Sequence, residues 1–250
     1  MLKAVGLTLV FYCFTLQVCA SCQLSVRVTD FPPQYYQDAS GQWQGMSVEL
    51  TEVLLNEMGC TPVYVKVPWQ RSFILLKSGQ LDLMTNLSIT DDRKAFLNFI
   101  GPQRDETIVL VVHKNSHYQI KSHAELANLP NKIGFELGSY YGETFDVLFK
   151  QDPAFSSHFE AVTHSEQNIH KLNLKRISGF FGDLYSVSHR IKTDSLYHSV
   201  KIHPFVINQN WVYFGLSKQS VSIPVLKQLK KAYQEAASQN KFNQVLSRYK

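Results

Sequence analysis

The chain reads as an α/β protein of two similar units, each a mainly parallel sheet flanked by helices. Three observations carry that expectation. From Leu24 onward, short apolar runs of strand character alternate with amphipathic stretches of helical period; the pattern restarts after Thr107; and a final strand is followed by two helices that return to the first unit.

The elements follow in order. Leu24 to Thr29 (LSVRVT) is the first strand, and Leu50, Val53, Leu54 and Met58 fall on one face of a helix stopped by Gly59. Val63 to Val67 is a second strand, Gln70 to Lys77 a helix ended by Gly79, and Leu81 to Thr85 a third strand. The second unit opens with the apolar run Ile108 to Val112. It continues with strands near Lys132–Leu137, His158–Thr163 and Ile177–Gly182, each leading into a helical pattern. Trp211 to Leu216 is the last strand, Pro224 opens a helix carrying Leu226, Leu229 and Tyr233, and Phe242, Val245, Leu246 and Tyr249 complete the chain. This organisation places a signal peptide at 1–20, the first lobe at 21–105 and 210–250, and the second at 106–209. Two chain crossings between the lobes make a hinge.

The first twenty residues carry Lys3, an apolar stretch from Ala4 to Val18, and small residues around a cut after Ala20, the pattern of an export signal. The mature chain is thus expected outside the cytoplasm. Losing Lys3 lowers the formal charge from +5 to +4, spread without a basic stripe, which argues against a nucleic-acid partner. Of the four cysteines only Cys22 and Cys60 survive the cut. Each precedes a predicted strand, so neighbouring parallel strands would bring them within bridging range. Such a disulfide would contribute about 3–4 kcal/mol. The competing reading is a lipoprotein acylated at Cys22.

The most informative segment is MTNLSITDDRKAF, Met84 to Phe96. It places Ser88, Thr90 and Arg93 where a strand passes into a helix, and open α/β sheets bind ligands beyond the carboxyl ends of their strands. Backbone N–H groups at a helix start and a planar guanidinium fork both suit a carboxylate. The plainer reading is that Thr90 is an N-cap and Arg93 a solvated charge. A second strand end, RISGFFGD, closes on Asp183, which either caps the next helix or meets an ammonium group. Gly138-Ser139-Tyr140 forms a third such loop. Phe31 and Trp69, each beside a proline, are the expected aromatic wall, with Tyr35, Tyr141 and Phe181 divided between wall and core.

Catalytic and cofactor signatures are absent. The sequence contains no GxSxG elbow, His-Glu-x-x-His helix, Walker sequence or GxGxxG fingerprint. All nine histidines lie between His113 and His203, but their spacing does not gather His158, His164 and His170 on one helix face, so neither metal nor cofactor is expected.

Taken together these residues resemble bacterial extracellular solute-binding protein family 3, periplasmic receptors that hand polar amino acids to ABC transporters. The similarity runs from about Ser25 to the C-terminus and is carried by GQWQGMSVEL and, most specifically, by LKSGQLDLMTNLSITDDRKAFLNF. It implies the two-lobe periplasmic-binding-protein fold (type II), with the lobes closing over a ligand. It also implies that Ser88 and Arg93 hold the ligand carboxylate, Ser139 and Tyr140 add contacts from the second lobe, Asp183 holds the ammonium group, and Phe31 stacks. The expected partners are an amino acid and an inner-membrane ABC permease, with a monomeric, periplasmic, non-enzymatic receptor. The rivals are a sensor for a membrane signalling protein and a cyclohexadienyl-dehydratase-like enzyme.

Overall fold

The computed structural model describes residues 22–249; the predicted export signal lies outside them. One eight-stranded sheet runs through the molecule in the order β4-β1-β5-β10-β6-β9-β7-β8. In the first lobe, β1 (Gln23–Val28) pairs in parallel with β4 (Thr61–Lys66) and β5 (Leu83–Leu87). The register sets Gln23 opposite Thr61, so the preceding cysteines adjoin and form a Cys22–Cys60 disulfide with Cα atoms 4.6 Å apart.

Two long strands, β6 (Leu97–His113) and β10 (Val200–Ser217), pair antiparallel along their length and carry the sheet from one lobe into the other. The second lobe adds β7 (Ile133–Glu136), β8 (Phe159–Val162) and β9 (Gly179–Asp183), parallel to one another, with β9 antiparallel to β6. The sheet is therefore parallel within each lobe and antiparallel at the crossing. The crossing strands are also far longer than the predicted Ile108–Val112 and Trp211–Leu216. In the missed stretch Gln103 to Thr107, Arg104 and Glu106 line a cavity, and no apolar run announces the strand.

The short hairpin of β2 (Tyr36–Gln37) and β3 (Trp43–Gln44) leads into α1 (Met46–Asn56). Gly45 makes that approach possible. It has φ 118°, and a Cβ there would stand 2.6 Å from the carbonyl oxygens of Pro33 and Gln34. Those carbonyls instead accept from the Met46 and Ser47 N–H groups, fixing the loop to the helix start.

Between β4 and β5 lies α2 (Trp69–Ser78), closed by Gly79 in the left-handed conformation at φ 73°. The C-terminal α8 (Ile223–Ser238) and α9 (Lys241–Ser247) bury Leu229, Ala232 and Phe242 against Leu50 and Leu54 of α1 and Leu24 and Leu83 of the sheet. In the second lobe, alternate residues of β6 face opposite ways. Leu110 and Val112 join Phe145 of α4 (Glu143–Gln151), Phe159 and Phe181 on one side. Val109 and Val111 join Ile169 of α6 (Glu166–Asn173) and Val187 of α7 (Leu184–Thr193) on the other. Both faces are thus covered, which is why this stretch of β6 is continuously apolar.

Candidate functional site

Strand ends of both lobes and the crossing strand β6 line a cavity of about 110 Å³. Ser88, Arg93, Ser139, Tyr140, Asp183, Phe31 and Trp69 all line it, whereas Thr90 does not.

On one wall, α3 (Asp91–Lys94) is a single turn whose N-cap Thr90 accepts from the Arg93 N–H at 3.3 Å. Thr90 thus acts as a cap, and one turn supplies little macrodipole. The positive charge comes from Arg93 itself. Its side chain is 7% exposed, lies 5.1 Å over the Phe73 ring, and donates from Nη1 to the Ser88 carbonyl at 2.9 Å. Nη2 donates to the Gly138 carbonyl of the opposite lobe at 3.0 Å. Gly138, at φ 82°, thus presents its carbonyl to the guanidinium. Burial lowers the Arg93 pKa to about 10, which leaves the guanidinium charged at neutral pH. The Ser88 hydroxyl accepts from Asn210 Nδ2 of β10 at 3.0 Å.

On the facing wall Asp183, 6% exposed, caps α7 by accepting from the Ser186 N–H at 3.0 Å. Its second oxygen accepts from Arg104 Nη2 at 3.1 Å. The isolated anion inferred from the sequence is therefore already paired. Arg104, 1% exposed on β6, also reaches Glu106 at 3.3 Å, Asn86 Oδ1 at 3.1 Å and the Asp105 carbonyl at 2.8 Å. Burial works against its charge, but Asp183 and Glu106 outweigh that and hold the guanidinium above its ordinary value. Glu106 is pushed up to about 7, chiefly by burial, with Arg104 pulling down and Asp183 pushing up.

A closed ring of side chains joins the lobes at this end. Asn86 Nδ2 donates to the Ser47 hydroxyl at 2.9 Å, Ser47 donates to Gln34 Oε1 at 2.8 Å, and Gln34 Nε2 donates to Asp183 at 3.4 Å. Arg104 completes the circuit between Asp183 and Asn86. Asn86 reaches its place from a left-handed backbone position, φ 59°, which asparagine tolerates better than most residues.

At the end of β1, Arg27 is 4% exposed and donates from Nε to the Val67 carbonyl at 3.1 Å. Its guanidinium lies 5.3 Å from the Trp69 ring and 5.7 Å from that of Tyr35. Phe31 remains at the cavity edge, while Tyr35, Tyr141 and Phe181 are buried and serve as core as well as wall. Arg27, Asn86, Arg104, Glu106 and Glu136 are cavity residues that the sequence reading missed. One signal was available for Arg27: a charged residue inside the apolar run LSVRV needs a buried partner or a ligand. Among the described residues no group of three or more His, Cys, Asp or Glu is arranged to hold a metal.

Two α/β lobes crossed by paired strands, with charged side chains converging between them, define a solute-binding protein. The family model for bacterial extracellular solute-binding proteins, family 3, matches residues 24–250, and the chain belongs to that extracytoplasmic family. It is 28% identical over 134 residues to a probable histidine-binding protein of Neisseria gonorrhoeae. That match covers 53% of this chain and 49% of the relative, so the chain spans about half the length of the curated relative it matches. Among solved structures it is similar to an ancestral arginine-binding protein bound to glutamine, at 20% identity and TM-score 0.76, covering 91% of this chain and 97% of that one. It is also similar to a histidine kinase sensor domain resembling periplasmic binding proteins, at 15% identity and TM-score 0.75, covering 92% and 96%. These likenesses establish the type II fold, and no helix among the described residues is long and apolar enough to cross a membrane.

Proposed function

We propose that this protein captures a zwitterionic amino acid between its lobes in the periplasm and, as a monomer, delivers it to an ABC permease. The observation that carries the reading is Arg93: a buried guanidinium without a carboxylate partner among the described residues, bonded to carbonyls of both lobes, in a cavity that also holds Asp183. A ligand carboxylate replaces those carbonyls with a charge-matched acceptor, and the Ser88 and Ser139 hydroxyls stand beside it. The ammonium group goes to the Asp183–Glu106 pair, where two carboxylates share one arginine and so retain capacity for a second cation. Because Arg93 and Asp183 approach the ligand from different lobes, only the closed state makes both contacts, and binding shifts the population toward closure.

A thermal-shift screen over the amino acids tests the reading, since a ligand at a hundred times its Kd stabilises by about 2.7 kcal/mol. Calorimetry on Arg93→Ala should then show affinity reduced by more than about thirtyfold, because the ligand carboxylate is left buried without its cation. A screen without a stabilising amino acid, or an Arg93→Ala variant of native affinity, overturns it. Delivery is tested by amino-acid uptake in cells with and without the gene.

A further inference from the structure

The structure carries a second unmatched cation in the same cavity, and we propose that Arg27 reads the far end of the ligand, selecting a side chain that ends in a carboxylate or carboxamide oxygen and rejecting a cationic one. The inference rests on the amino-acid reading above and adds the class of side chain.

Three arginines line the cavity, and their surroundings differ. Arg104 is neutralised by Asp183 and Glu106. Arg93 is assigned to the ligand carboxylate. Arg27, buried as deeply, forms no ion pair within 4.0 Å of a described carboxylate. Its Nε bond to the Val67 carbonyl and its position over Trp69 and Tyr35 fix the stem and plane of the group, which lines the cavity. An arginine does not shed its proton to relieve burial. A buried charge in this state calls for a partner.

Trp69 supplies an independent second observation. Its indole Nε1 is buried on the same cavity wall and has no hydrogen-bond partner among the described residues. An indole N–H only donates, so what it lacks is an acceptor. Two adjoining groups from separate elements, β1 and α2, thus both ask for an oxygen. Glu136 of β7 and Glu166 at the start of α6 also line the cavity; burial holds Glu136 up at about 7, with Arg27 pulling it down and Glu166 pushing it up. Ionised, it accepts from the NH₂ of a carboxamide; protonated, it donates to a carboxylate. A ligand ammonium, guanidinium or imidazolium at this end would instead abut the unpaired Arg27 charge, a repulsive element of the kind that sets specificity.

Calorimetry with glutamate, aspartate, glutamine, asparagine, arginine and lysine, on the wild type, Arg27→Met, Trp69→Phe and Arg93→Ala, tests the proposal. The wild type is expected to bind at least one of the first four about tenfold or more tighter than arginine or lysine. Arg27→Met keeps an apolar stem over Trp69 and should lose about tenfold or more toward that ligand while narrowing its lead over the cationic pair. Trp69→Phe retains the ring, removes the N–H and leaves the buried charge untouched; it should weaken the same ligand by a smaller factor, which keeps the test decisive if Arg27→Met fails to fold. A wild type that prefers arginine or lysine, or an unchanged ranking in Arg27→Met and Trp69→Phe, overturns the assignment. Amino acids bound through Arg93 with Arg27 indifferent sink this inference alone. Failure of all six to bind the wild type overturns this inference, and the amino-acid reading falls with it only when the full thermal-shift screen also finds no stabilising amino acid.

Discussion

Replacing Arg104 with glutamine removes the cation at the centre of the interlobe ring, and the structure sets the scale of the loss. Arg104 is 1% exposed and lies 3.1 Å from Asp183 and 3.3 Å from Glu106, so its removal leaves two buried carboxylates facing one another. Breaking a buried pair by deleting one partner costs about 3–5 kcal/mol. The acids can recover part of this by sharing a proton, because like charges at close range drive one pKa upward. Glu106 starts at about 7 with the arginine present, and each further unit of rise corresponds to about 1.4 kcal/mol. Urea unfolding of ligand-free protein should therefore show a loss of about 3–5 kcal/mol at pH 8 that is smaller by at least about 1 kcal/mol at pH 5. Adding Glu106→Gln to the variant should restore part of the loss at pH 8 and little at pH 5. A loss below about 1 kcal/mol at pH 8, or one equal at both pH values, would refute the account of Arg104 as the neutralising cation.

Further outcomes follow from the same geometry. The folded-state pKa values of Glu106 and Glu136 lie at about 7, above the ordinary 4.5, so their contribution to stability is fully present below about 4.5 and lost as pH rises through 7. The urea midpoint of ligand-free protein should fall between pH 5 and 8, and Glu136→Gln should flatten that fall. Because an ionised Glu106 holds the ammonium group better, amino-acid affinity should rise from pH 6 to 8 with proton release, measured by calorimetry in buffers of different ionisation enthalpy. Asp183→Ala should weaken a zwitterion by more than about thirtyfold yet affect the matching 2-oxo acid far less, since that analogue lacks the ammonium group. A Cys22→Ser/Cys60→Ser variant opens a loop of 38 residues and should lose about 4 kcal/mol by chemical denaturation.

Local signals made one half of the site legible and concealed the other. Arg93, Ser88 and Thr90 lie within six consecutive residues, so strand, cap and guanidinium could be read as one motif. Asp183 could be read as the end of a strand and the start of a helix. Its partner Arg104 could not, because the two are 79 positions apart and meet only through the β6–β9 register that sets Ile108 opposite Asp183. The same holds for the fold. Apolar runs revealed the strands buried on both faces, and Gly79 revealed where α2 stops, whereas α1 ends at Asn56, three residues before Gly59. The crossing strand β6 hid its length because Arg104 and Glu106 spend their side chains on the cavity and Gln103 accepts from the Asn86 N–H, breaking the hydrophobic pattern that marks a strand.

In the proposed closing of the lobes on a solute, the crossing strands would hold both the articulation and part of the recognition surface in the same few residues. Arg104 and Glu106 on β6 and Asn210 on β10 touch the cavity or its groups and also sit where the sheet passes between lobes. A substitution there alters the open–closed equilibrium and the fit to solute together, so the apparent dissociation constant changes by the product of the two effects. Drift toward a new solute would then be less encumbered at Arg27, Phe31 and Trp69, which meet the cavity from outside the crossing strands.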